Sequence, residues 1–235
     1  MPGDLRAGGG SGQRAGRGLA VGERGVLTKR TNVRIQRSQM SKGEQTRERI
    51  LRHAMKVASR DGLEGLSIGE LAEDLKMSKS GLFAHFGSKD ELQLEVLRTA
   101  SREFEETVVR PALRAPRGVP RLRQLFENWL GWAAGTRWGG CIFAGAAFEL
   151  DDRPGPAREY VVESGKQWLY PLVRTAELGV ESGVLRPDLD CELLVFQIHS
   201  ILLGFHHARR LLRLRGAEAI ARRAFEQLMA DAVPA

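Results

Sequence analysis

The stretch Ser67–Lys89, SIGELAEDLKMSKSGLFAHFGSK, places three helix-opening serines in one short run. Ser67 is followed three residues later by Glu70, the pattern of a capping box, and Ile68, Leu71, Ala72 and Leu75 then share one helical stripe. Lys76 and Met77 break that stripe. Ser78 can cap a second short helix whose buried side is Leu82 and Phe86, leaving Lys79, Ser80, Gly81 and His85 on the other side. Ser88 and Glu91 form another box and open a long helix, 88–110, with apolar positions at Leu92, Val96, Ala100, Phe104 and Val108. Two short helices joined tightly, the second held outward, are the layout of a helix-turn-helix, which sets one helix in a DNA groove. The starts at Ser78 and Ser88 also present free backbone N–H groups that favour a phosphate, and Lys89 stands beside the second.

Upstream, Thr46–Asp61 reads as a supporting helix, with Ile50, Ala54, Val57 and Ala58 on one side and Gly62 as its stop. Through TRERIL and LSIGELAEDLKMSKSGLFAHFGSKDEL, residues 44–97 resemble the DNA-binding domain of the tetracycline-repressor (TetR) family. The resemblance implies recognition-helix positions for Lys79, Ser80, Gly81 and His85, and a phosphate-contact region at Phe83, His85 and Lys89. Phe83 stands where the family usually has tyrosine, so a hydroxyl that could bond a phosphate is missing. Lys76 replaces a glycine common in the turn, at a cost of about 1 kcal/mol if it is left-handed. Arg47, Ser67 and Ser78 complete the expected DNA-contacting set.

Charge is unevenly placed. Residues 1–43 hold nine basic side chains and two acidic ones, which is the whole net charge of +7. Residues 44–95 hold eight basic and ten acidic. The reading domain is therefore slightly acidic, and local placement of Arg47, Lys79 and Lys89 must supply its grip. The Gly/Arg-rich segment 1–43 lacks a helical period, has too few apolar residues to fold, and has no apolar signal-peptide core. It reads either as a disordered basic arm along the DNA backbone or, since Met40 precedes SKGEQTRERIL, as sequence ahead of the native start.

After a break at Pro111, Pro116, Gly118 and Pro120, a connecting region 98–120 leads into a second domain, 121–235. Segments 121–134, 140–150, 156–182, 190–214 and 217–231 carry helical patterns, so the fold class is all-α. The segment 190–214 is apolar on nearly every side, yet Gln197, His199 and Ser200 make it too polar to span a membrane. One side can face the core and another a second copy. Leu194, Ile198, Ile201, Gly204 and Phe205, with Phe225 and Leu228 of the last helix, are the expected dimer interface. A homodimer also doubles the short readout of one recognition helix onto a palindromic double-stranded operator.

The stretch GGCIFAGAAFELDDRPGPAREYV resembles the C-terminal domains of a subset of the same family, and the resemblance implies a helical effector cavity. Candidate walls are Trp129, Trp132, Phe143, Phe148 and Trp168, with Gln167, Gln197 and His199 as polar handles, which suits an apolar or aromatic small molecule. The fourth tryptophan is Trp138.

No HExxH, GxSxG, P-loop or dinucleotide fingerprint is present, so no enzymatic activity, cofactor or metal is expected. Cys141 and Cys191 lack CxxC spacing and read as reduced thiols in a cytoplasmic protein. The sequence reading is a DNA-binding regulator, a repressor released by a ligand. The alternative is a ligand-binding or scaffold dimer with a vestigial reader.

Overall fold

The computed structural model describes residues 41–135 and 139–234, and among these there are helices and no strand. The tail 1–40 and Trp138 lie outside the described residues. The first helix, α1 (Lys42–Asp61), starts earlier than its apolar stripe suggests, because Ser41 builds a complete capping box with Glu44. Ser41 Oγ accepts from the Glu44 N–H at 3.2 Å, and Glu44 Oε2 accepts from the Ser41 N–H at 2.7 Å. The helix buries Ile50, Leu51, Ala54, Met55 and Ala58, and stops at Gly62, whose φ is +88°.

Three helices follow, α2 (Ile68–Asp74), α3 (Lys79–Phe86) and α4 (Lys89–Phe104), and each opens on a serine. Ser67, Ser78 and Ser88 accept from the N–H of Glu70, Gly81 and Glu91 at 3.4, 3.0 and 3.0 Å. Each cap is worth about 1 kcal/mol. Only the serine half of the expected boxes forms at Ser67 and Ser88. Lys76 in the turn is left-handed, with φ +53°. Leu71, Leu82, Phe86, Leu92 and Val96 close the small core.

The long helix is not continuous α-helix through residue 110. From Glu105 to Val109 it widens into a π-helical turn, then finishes as α5 (Arg110–Ala112). Pro111 lacks the N–H that would continue the α pattern, and the Arg110 N–H reaches five residues back to the Glu105 carbonyl. Asn128 fills part of the gap by donating to the Val108 carbonyl at 2.8 Å.

The C-terminal half is α6 (Val119–Ala134), α7 (Ile142–Leu150), α8 (Pro156–Glu181), α9 (Cys191–Arg210) and α10 (Ala217–Ala232). Pro171 lies inside α8, where Thr175 Oγ1 donates to its carbonyl at 2.6 Å. Phe126 stacks on Phe225 with ring centroids 4.2 Å apart, joining α6 to α10.

This packing corrects the expected dimer face. Leu194, Ile198, Phe205 and Phe225 are buried within the protomer, and Ile201 and Leu228 are half-buried. Only Gly204 of that set is exposed. The outward row of α9 is Leu193, Phe196, Ser200, Gly204 and His207, with Phe196 70% exposed, and Ile220 faces out from α10. A helix apolar all round does not reveal which face its own chain covers; only the partner helices decide that.

The reading head and the C-terminal half meet in one compact unit. Glu149 at the end of α7 accepts from the Glu64 N–H at 3.1 Å and occupies the space beside Gly62, where a Cβ would come within 2.3 Å of its carboxylate. Glu64 in turn receives Lys89 Nζ on its carbonyl at 2.9 Å and pairs with Arg153 at 3.4 Å. The buried Gln93 donates to the Leu63 carbonyl at 2.9 Å.

Candidate nucleic-acid interface and ligand cavity

On α3 the sequence places Leu82 and Phe86 inward, and Lys79, Ser80 and Phe83 are exposed, Phe83 at 49%. His85 is half-exposed. Lys79 has no ionic partner among the described residues, and its side chain lies along Gly69 at the start of α2. Gly81 leaves room for the Ser78 cap: a Cβ there would approach Ser78 Oγ to 2.9 Å. Lys79, Ser80 and Phe83 thus share the exposed side of α3, with Lys79 reaching the start of α2, while Gly81 and His85 stand further round the helix and are half-exposed.

Two expected contacts have other partners. Arg47 bonds Glu95 at 2.7 Å and sits over the Phe86 ring, 5.1 Å from its centroid, so its guanidinium ties α1 to α3 and α4. Burial opposes the charge on Glu95, but hydrogen bonds from Arg98 and Arg47 outweigh it and hold the carboxyl below its usual range. Lys89 is engaged by Glu64, with its Nζ 3.3 Å from the carboxylate. A phosphate at Lys89 has to compete with that pair. Sequence spacing showed these cations but not the glutamates that reach them from residues far along the chain.

The second site is a cavity of about 1010 Å³ between α4, α6, α7, α8 and α9. Phe104 stands at its back, edge-on to Trp132, Trp168 and Phe143 with centroids 5.5, 5.3 and 6.0 Å apart. Of the expected walls, Trp129, Phe143, Phe148, Gln167, Trp168 and His199 line it. Two do not. Trp132 is packed behind Phe104, and Gln197 is on the exposed side of α9, two helical positions from the inward-facing His199. Trp168 Nε1 donates to His199 Nδ1 at 3.4 Å, and burial pushes the imidazole pKa down, which keeps it a neutral acceptor. Tyr160, Ser164, Arg102 and Arg121 also face the cavity; nothing in local periodicity distinguishes them from surface residues. Glu105 and Val109 bring the π-helical turn to the same wall. Burial raises the Cys141 thiol pKa, and burial with Glu177 and Asp190 raises that of Cys191, so neither thiol is activated.

A helix-turn-helix with a capped outward helix, joined by one long helix to a helical cavity, defines a DNA-binding regulator with a built-in ligand site. A family model described as "Bacterial regulatory proteins, tetR family" matches residues 50–96, and one described as "Tetracyclin repressor-like, C-terminal domain" matches residues 118–225. The chain belongs to the TetR family of DNA-binding transcriptional regulators.

The HTH-type transcriptional repressor DhaR of Mycobacterium sp. (strain GP1) is 24% identical over 149 residues, 63% of this chain and 74% of DhaR. NicS, an HTH-type transcriptional repressor of Pseudomonas putida, is 30% identical over 100 residues, 43% of this chain and 45% of NicS. Among solved structures, a TetR transcriptional regulator from Chloroflexus aurantiacus superposes with a TM-score of 0.73 at 24% identity, covering 81% of this chain and 96% of that one. AibR, solved with isovaleryl coenzyme A and operator DNA, gives a TM-score of 0.61 at 23% identity, covering 76% and 97%. At these identities the structural likeness shows the fold. Among the described residues no helix is long and apolar enough to cross a membrane.

Proposed function

We propose that the protein is a homodimeric repressor that reads a palindromic operator in the cytoplasm and releases it when a small apolar or aromatic molecule fills the C-terminal cavity. The observation that carries this reading is the convergence of two cavity walls on one residue of the reading head. Ala147 and Phe148 of α7 line the cavity, and the next residue, Glu149, holds Gly62 and Glu64. Ser101 and Phe104 of α4 line it too, and the first residue of α4, Lys89, holds Glu64 from the other side. A ligand that favours a different spacing of α7 and α4 therefore acts on the loop that enters α2. Only differential affinity for the two spacings shifts the equilibrium; tight binding to both shifts nothing.

The relatives named as repressors, and AibR with its ligand and operator, support repression and ligand response. Dimerisation is supported by the apolar row Leu193, Phe196, Gly204 and Ile220, left open on α9 and α10. Within the head, Lys79, Ser80 and His85 read or approach base edges, while the Ser67 and Ser78 helix starts position the phosphate backbone. Catalysis has no part in this reading.

The test is operator affinity by fluorescence anisotropy, on genomic fragments captured by the protein, with and without compounds shown by calorimetry to bind. At least a tenfold loss of affinity on ligand binding is expected. Identical affinity with every bound compound sinks the release mechanism, and a monomer by light scattering at micromolar concentration sinks the dimer.

A further inference from the structure

We infer, resting on the proposal that the aromatic cavity is the effector site, that the effector is a carboxylic acid. Its carboxylate bonds Arg121, and its apolar body extends along α8 to Trp168 and Phe104. Tyr160 and Leu178 of α8 both line the cavity, which therefore runs about 27 Å along that helix at about 1.5 Å per residue. A space that long suits an extended molecule, and its two ends differ in charge.

Asp151 lines the end where α8 starts, held there by Arg158 Nε, which donates to the Asp151 carbonyl at 3.1 Å. Its carboxylate has no ion pair among the described residues. Arg98, also in the lining, is neutralised by Glu95 at 2.7 Å and Glu91 at 3.6 Å. Arg121 stands at the opposite end. A Cβ on Gly179 would come within 3.4 Å of the Gly118 Cα, so α6 starts against the last turns of α8. Arg121 lies just inside α6, with about 20 Å of helix between it and Ala134 at the other end.

The Arg121 side chain is half-buried, and its Nε and Nη2 donate to the Ala115 carbonyl at 3.1 and 2.9 Å. Those bonds fix the guanidinium and leave Nη1 and the second N–H of Nη2 without a partner among the described residues. Together these two nitrogens form a fork that matches the two oxygens of one carboxylate. The acids on the last turns of α8, Glu177 and Glu181, are committed to Arg174 at 2.8 and 3.2 Å. Glu105 of the cavity wall pairs with Arg110 at 3.1 Å. A half-buried cation without a counter-charge has lost part of its hydration, and an entering carboxylate replaces it. Arg102 also faces the cavity without an acid partner, but it is exposed, where water screens an ion pair.

The probe is N-phenyl-1-naphthylamine, a neutral dye that fluoresces in apolar sites, bound to the full chain at neutral pH and displaced by decanoate or by decan-1-ol. The ratio of the two displacement constants cancels burial of the shared chain and leaves the head group. Decanoate is expected to compete at least tenfold better than the alcohol, and Arg121→Gln to remove that preference. Arg121→Lys keeps the charge but loses the fork, so only part of the preference should survive; it carries the test if Arg121→Gln does not fold. An unchanged preference in the Arg121 variants, or one lost through Arg102→Gln instead, overturns the acid anchored on Arg121 and leaves the cavity as a ligand site. A dye that shows no saturable binding to the unmodified chain overturns the cavity reading itself, and the acid with it.

Discussion

In the reading head Ile50, Leu82 and Leu92 are fully enclosed and the short helices are held by serine caps. The C-terminal half keeps a cavity of about 1010 Å³ in front of Phe104 and leaves Phe196 and Leu193 facing outward. The head fills its core and ties down Arg47 and Lys89; the other half leaves apolar surface uncovered inside and out. A filled core fixes one arrangement, whereas a hollow one has contacts still to make, with a ligand or with a second chain. The difference separates a part that must hold its shape from a part whose shape can be biased.

That contrast can be broken most forcefully in the head. Leu82→Ala is expected to cost about 4 kcal/mol, because the filled core has no slack to collapse, and chemical denaturation should show it together with loss of operator binding. Phe104→Ala, at the wall of an existing cavity, is expected to cost less, about 3 kcal/mol. Its diagnostic result is retained operator binding with a weakened ligand response.

Charges sharpen the comparison at smaller scale. Lys79→Ala should lower the salt slope of operator binding by about 0.9 per protomer. Arg47→Ala should leave that slope alone and lower stability, since its guanidinium serves Glu95 and Phe86. Lys76→Gly relieves the left-handed backbone and is expected to stabilise the head by up to about 1 kcal/mol in a thermal melt.

The smallest effect is on pH. Burial lowers the pKa of His199, and burial with Arg210 and His207 lowers that of His206, from the ordinary 6.5. Below that value the unfolded chain takes protons that the folded chain refuses. Stability is therefore complete above pH 6.5 and declines as pH falls toward the folded values. The melting temperature should drop from pH 7.5 to pH 5.5, and His199→Gln/His206→Gln should flatten the slope.

The head was largely legible in the sequence, because capping serines, short stripes and stop glycines act over a few residues. Ser67, Ser78, Ser88 and Gly62 all stand where their local rules put them. Partners from elsewhere in the chain were not legible. Glu64 on Lys89, Glu95 on Arg47 and Glu149 against Gly62 are separated by 25, 48 and 87 positions. Most of the aromatic residues around the cavity could be named from the sequence because tryptophan and phenylalanine reveal themselves by type, while the side of α9 that the protomer itself covers could not, because that helix is apolar on all sides. The π-helical turn had a signal in Pro111, but a proline near a helix end more often marks the stop.

The contact between Gly62 and Glu149 has a consequence for sequence variation. A side chain at position 62 would meet the carboxylate at 149 and would also be strained by the left-handed φ of +88°, so glycine is needed there whatever residue stands at 149. Position 149 has the wider freedom: a shorter residue there gives up the bond from the Glu64 N–H and opens space beside Gly62. Of the two sides of this seam, one can therefore drift while the other stays glycine, and a residue larger than glycine at 62 would be harmful even beside a shortened partner.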